Sequence, residues 1–178
     1  MHEKRMNCSR YKLSGKDDIL RLSEYIQVPQ DAGAGLYRCR VIYGSSVESV
    51  EYTPYTPAII KTLKLVEAGT LMYDLKYVDR SQLTGLINKT VADDILIVRD
   101  GCITDASFAN IVFTDGKQWI TPDTPLLCGT MREKLLIEGA ISSGRITIEN
   151  LSRFTHFRLI NAMLGFISPV LPVSNILI

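Results

Sequence analysis

The sequence predicts an α+β fold. Short β-rich runs outnumber helical ones, and two Asp-Gly dipeptides, at 100–101 and 115–116, separate such runs as hairpin turns. Helical periodicity is confined to a few short segments.

Taken in order, Lys16 to Gln27 carries Ile19, Leu20, Leu22, Tyr25 and Ile26 at near-helical spacing, with Ser14 and Asp17-Asp18 as candidate caps and Pro29 beyond its end. Leu36–Tyr43 alternates, Gly44-Ser45-Ser46 is a turn, and Val47–Tyr52 returns as the second strand of a hairpin. Pro54 and Pro57 break the pattern before a strand at Ile59–Val66. A helix is expected over Arg80–Asn88. Asp94–Arg99 reads as a short buried strand that Asp100-Gly101 turns into Cys102–Thr104, and Ala109–Phe113 and Trp119–Thr121 flank the second hairpin. Met131–Glu138 is a helix starting after Gly129-Thr130, Ile146–Ile148 a strand, Leu151–Phe154 one helical turn, and His156–Ile160 a further strand, with Val170–Val173 near the end.

Composition removes several function classes. Apolar residues make up 46% and charged residues 22%, as in a soluble globular protein, so disorder is not expected. The net charge of +1, with Lys and Arg scattered, gives no footprint for nucleic acid or an anionic membrane. The longest apolar stretch, Leu159–Val173, is interrupted by Asn161, Ser168, Pro169 and Pro172 and is too short to span a bilayer; the Met1–Arg5 start has no signal region, and a cytoplasmic location is expected. Cys8, Cys39, Cys102 and Cys128 are widely spaced, and with only His2 and His156 available neither a disulfide framework nor a metal site is expected.

Three blocks carry candidate chemistry: Tyr73-Asp74-Leu75-Lys76-Tyr77-Val78-Asp79-Arg80, Asp100-Gly101-Cys102-Ile103-Thr104-Asp105-Ala106-Ser107-Phe108-Ala109-Asn110-Ile111, and Thr121-Pro122-Asp123-Thr124-Pro125-Leu126-Leu127-Cys128-Gly129-Thr130-Met131-Arg132. Each alone has an ordinary reading. Lys76, in a strand-like stretch before a helix, reads as a solvated lysine, Asp105 as a turn residue, and Gly129-Thr130 as a helix cap that could also receive phosphate. Arg38 and Arg40 alternate on one strand and share a face, whose ordinary reading is an exposed strand face. Arg80 reads as a surface partner of Asp79 or Asp94.

Together and in this order the blocks resemble the class IV aminotransferases, which include branched-chain and D-amino-acid aminotransferases and aminodeoxychorismate lyases. The likeness extends to His2-Glu3-Lys4-Arg5-Met6, similar to the family's H-x-x-R segment, and to Asn161-Ala162-Met163 with Pro169-Val170, similar to its last phosphate-side loop. The resemblance implies pyridoxal 5′-phosphate as cofactor, with Lys76 linking to its aldehyde and then moving a proton at the substrate's α-carbon. It implies Asp105 opposite the pyridine nitrogen, where most members carry Glu, and Leu127 against one face of the ring. Phosphate would be held by Arg5, by the Thr130-Met131 helix start and by Ala162 and Met163. Arg40 would meet the substrate carboxylate. Burial is expected to tune the Lys76 amine toward neutrality.

The implied architecture is two-lobed, similar to D-amino-acid aminotransferase: a small α+β lobe over residues 1–70, lacking the family's first strands, and a larger barrel-like β lobe with flanking helices over 71–178, with the cofactor between them and a homodimer closing the pocket. The implied activity is amino-group transfer between an amino acid and a 2-oxo acid. One alternative is aminodeoxychorismate lyase, favoured by Asp79-Arg80 and by Asn161-Ala162-Met163. A second is a truncated, non-catalytic relative, and a third a β-rich binding module unrelated to the cofactor.

Overall fold

The computed structural model describes residues 1–30, 32–88 and 90–178. The chain divides into two compact units, Met1–Ala58 and Ile59–Ile178. The division falls before residue 70 because the strand at Leu63–Glu67 pairs within the second unit.

In the first unit α1 spans His2–Ser14 and stops at Gly15, whose φ of 68° is the left-handed conformation that closes a helix without a Cβ penalty. The helix shows little periodicity because its buried face is partly polar: Met6, Ser9 and Arg10. Arg10 is only 1% exposed. Its guanidinium donates to the Ser45 carbonyl, the Asp18 carbonyl, the Asn7 side chain and both Asp18 carboxylate oxygens. That network explains why Lys16–Gln27 is not the expected helix and keeps only a 3-10 turn at Leu22–Glu24. Side chains of α1 capture its backbone: Asn7 bonds both the amide and the carbonyl of Leu20, and Glu3 accepts from the Leu22 amide. The expected hairpin forms as β1, Tyr37–Tyr43, antiparallel to β2, Val47–Pro54.

The second unit has two sheets. One has four strands in the order β11-β3-β4-β5, from Ile176–Leu177, Leu63–Glu67, Asp94–Arg99 and Cys102–Ala106. The other has five, β10-β9-β6-β7-β8, from Leu171–Pro172, His156–Ile160, Asn110–Thr114, Trp119–Pro122 and Ser142–Gly144. Between them lies one apolar core containing Leu63, Leu96, Val98 and Ile103 from the first sheet and Ile111, Phe113, Phe157 and Leu159 from the second. Alternate residues serve the outer faces. Ile95 and Ile97 cluster with Leu83 of α2, Ser81–Ile87. Val112 and Ile160 cluster with Leu135 of α3, Thr130–Ile137. Burial on both faces accounts for the unbroken apolar run at Ile95–Val98.

Asp100 and Gly101 both take positive φ, 51° and 71°, as the predicted two-residue hairpin turn requires. The Ile146–Ile148 segment is not a strand. It makes a single bridge, Thr147 to Cys102, because Thr147 and Asn150 bond each other's amides and turn the chain. Among the described residues no helix is long and apolar enough to cross a membrane.

Candidate active site

The chain passes from one sheet to the other between β5 and β6, through Ser107–Ala109, and two residues on either side of this step, Asp105 near the end of β5 and Asn110 at the start of β6, are the chemically telling ones. Asp105 and Asn110 are both buried. Asn110 donates from Nδ2 to Asp105 Oδ1 at 2.7 Å and to the Leu127 carbonyl at 2.9 Å. The Leu127 amide in turn donates to Asp105 Oδ2 at 2.9 Å. The carboxylate is thus held at both oxygens by a loop that ends in α3.

Burial pushes the Asp105 carboxyl up to about 6, against the Leu127 and Asn110 hydrogen bonds and the more distant Arg132 charge, which pull it down. Such a carboxyl is short of cationic compensation, and a cation brought against it would hold it ionised. Gly129 is dictated by packing: a Cβ there would lie 1.9 Å from Asn110 Oδ1. Its φ of −70° suits any residue, so closeness rather than conformation excludes a side chain. Helix α3 starts at Thr130, directly after the loop whose Leu127 amide holds Asp105, so its first-turn amides lie close in sequence to that carboxylate. Arg132 is buried and donates to Thr121 Oγ1 and to the Pro122 carbonyl, which fixes α3 against β7.

The loop after β9 joins the same neighbourhood. Asn110 pairs with Ile160 across β6 and β9, and Asn161 Nδ2 donates to the Phe108 carbonyl at 3.4 Å. Asn161 Oδ1 accepts from the amides of Met163 and Leu164. The Met163 amide, expected to face a phosphate, is therefore already used within its own turn.

Lys76 departs from expectation in its setting. It lies in an irregular segment rather than a strand and is exposed, so the expected burial of its amine is not found. A surface pocket of about 300 Å³, lined by residues including Tyr73, Tyr77 and Arg80, opens on that segment. Arg80 bonds the Ser107 carbonyl at 2.8 Å, and of its two expected partners its charge acts on Asp94, while Asp79 accepts from the Ser81 amide. Leu127 is half-buried, Thr130 buried, Met131 half-buried and Ala162 exposed. Arg5, half-buried on α1, and Arg40 belong to the first unit. Arg40 is exposed on β1 and lies 3.6 Å from Glu51 of β2.

Of the sequence candidates, then, Asp105, Leu127 and the start of α3 are brought together, with Ala162 on the adjoining loop. Asn110 and Arg132 stood in the motif blocks without a role, and Gly129 was read as part of a helix start rather than as the close contact of Asn110. The signal that could have found Asn110 is its place five residues after a buried acid, at the end of the same strand-to-strand step.

Residues 74–176 match the family model for amino-transferase class IV. The chain belongs to that family. An uncharacterized protein of Haemophilus influenzae is 39% identical over 93% of this chain and 89% of its own length. A solved structure from Haemophilus somnus, described as a putative 4-amino-4-deoxychorismate lyase, is 32% identical with a TM-score of 0.78, covering 93% of this chain and 88% of that one. A hypothetical aminotransferase from Mycobacterium tuberculosis, solved in a PLP-bound form, shares the fold at 18% identity and a TM-score of 0.59, covering 75% of this chain and 58% of that one.

Proposed function

We propose that this class IV chain is a pyridoxal-phosphate enzyme that transfers an amino group between an amino acid and a 2-oxo acid. The observation that carries the reading is the desolvated Asp105 carboxylate, fastened by Asn110 and by the Leu127 amide three residues before the start of α3. A cofactor with a basic ring nitrogen at one end and a phosphate at the other matches a buried carboxylate next to a helix N-terminus.

Pyridoxal phosphate, when bound, supplies an aldehyde that links covalently to an amine and a ring that accepts an electron pair. The chain's residues would do the rest. Asp105, kept ionised by the cation it would face and by its Asn110 and Leu127 hydrogen bonds, would hold a proton on the ring nitrogen. Thr130 and Met131 offer a hydroxyl and first-turn amides to phosphate, and Ala162 adds to them from the neighbouring loop. Leu127 packs on the ring. Lys76 carries the amine that binds the aldehyde and later moves the proton at the substrate's α-carbon.

Absorbance of the purified protein with added pyridoxal phosphate, for wild type and Lys76→Ala, tests the reading. Wild type gains a visible band and a borohydride-trapped adduct on Lys76, and the variant gains neither. A full band in the variant removes Lys76 from its role, and no band in wild type removes the cofactor.

A second reading, aminodeoxychorismate lyase, is favoured by the 32% identity to the Haemophilus somnus structure and by Asp79-Arg80 and Asn161-Ala162-Met163. Pyruvate release from aminodeoxychorismate, scored against oxo-acid-dependent amine loss, separates the two.

A further inference from the structure

Lys76 has no regular structure to fix it. The segment from Leu71 to Arg80 lies between β3 and α2 and contains neither helix nor strand. Among the hydrogen bonds that tie it to the sheets are two from guanidinium groups, one at each end. Arg99, at the end of β4, donates to the Leu71 carbonyl. Arg80 donates from its terminal nitrogen to the Ser107 carbonyl at 2.8 Å.

The Arg80 tie lands on a particular peptide. Ser107 is buried and begins the step that carries the chain between the two sheets, two residues after Asp105 and three before Asn110. Its amide donates to Asp94 Oδ2 at 3.2 Å, and Asp94 opens β4. The Ser107 residue is therefore gripped from both sides, by an acid on its N–H and a base on its carbonyl. The Arg80 charge also reaches Asp94, where it pulls the carboxyl down against the burial that raises it. Lys76 stands four residues from one end of this chain of contacts and Asp105 two residues from the other.

We propose that Arg80 is a positioning residue: through the Ser107 carbonyl it sets the Lys76 segment against the turn that carries Asp105 and Asn110. The proposal rests on the reading of Lys76 and Asp105 as two ends of one cofactor site. A lysine on irregular backbone needs its anchor point defined, because a displacement of about 1 Å can cost on the order of a hundredfold in rate. Arginine suits the task better than lysine, since its planar fork can bond the carbonyl while its charge faces Asp94.

The test uses the full chain with Arg80→Met and Arg80→Lys. Without cofactor, hydrogen exchange is followed in peptides covering 71–80 and 105–110, with β6–β9 peptides reporting that the fold is kept. Arg80→Met speeds exchange in both segments together, about tenfold for the loss of one charged hydrogen bond, and Arg80→Lys restores part of the protection. With pyridoxal phosphate added, Arg80→Met needs about tenfold more cofactor for half-maximal trapped adduct on Lys76, again partly rescued by Arg80→Lys. If exchange at 105–110 is unchanged in Arg80→Met, the two segments are not coupled and the proposal fails. It fails equally if exchange rises but the trapped adduct forms at the wild-type concentration. An absent adduct in wild type overturns the cofactor reading and with it the positioning role, while the exchange data still record whether the segments are joined.

Discussion

Asn110 holds Asp105 from one side at 2.7 Å while its own Oδ1 lies where a Gly129 side chain would begin. One amide therefore determines both how the acid is fixed and how closely the α3 loop can approach.

Gly129→Ala follows from that contact. The added methyl would meet Asn110 Oδ1 at 1.9 Å and force it away from Asp105 and Leu127. A loss of about 1–3 kcal/mol in unfolding free energy is expected from such overpacking, measured by urea denaturation. Unchanged stability would mean that the loop shifts freely.

Asn110→Ala removes donors to both Asp105 Oδ1 and the Leu127 carbonyl. Each buried acceptor left unsatisfied costs roughly 1–3 kcal/mol. The carboxyl also loses a hydrogen bond that lowers it, so it moves further above about 6. A ¹³C titration of the Asp105 carboxyl would follow this, and a downward move would contradict the geometry.

The pH profile of stability carries a signature of Asp105. Its folded value is raised from 3.8 to about 6, so between those values the folded state binds more protons than the unfolded one. Stability contributed by Asp105 is full below about 3.8 and falls by about 3 kcal/mol as pH rises through about 6. Asp94, also raised by burial, acts in the same direction. Asp18, Asp93 and Asp115 are lowered by their hydrogen bonds and lose stability only as pH falls below the usual carboxylate range, so the windows separate. In protein free of cofactor, Asp105→Asn should flatten the decline between pH 4 and pH 7.

Arg10→Met tests the first unit. It strips bonds from the Ser45 and Asp18 carbonyls around a side chain that is 1% exposed. A loss of roughly 2–4 kcal/mol is expected. Hydrogen exchange should rise in α1 and the β1–β2 hairpin, and equal protection in the two proteins would show the network to be dispensable.

Much of the second unit was legible. Asp94–Arg99 and the Asp100-Gly101 turn were readable because burial on both faces and positive φ leave marks in residue type. The start of α3 was readable from Gly129-Thr130. Two failures share one cause, namely side chains competing for backbone groups, whereas α1, with its partly polar buried face, left no periodicity to read. Arg10, Asn7 and Glu3 undid the helix that Ile19–Ile26 spelled out, and Thr147 with Asn150 undid a strand. At the candidate site the motif marked Asp105 and the α3 loop, but not that Asn161 spends its oxygen on the Met163 amide. Nor did it show Lys76 on irregular, exposed backbone. Such contacts depend on the path of the chain, and residue type alone does not encode them.

Strand β11 lies parallel to β3, with Ile176 opposite Leu63 and the Lys64 ammonium on the Ile178 carbonyl. Trimming those last residues would uncover the hydrogen-bonding groups of β3 along its outer side. An open border of that kind recruits strands from other molecules. Shortened versions of the polypeptide should therefore self-associate on storage, and a fusion at this terminus needs a spacer that leaves Ile176 and Leu177 in register.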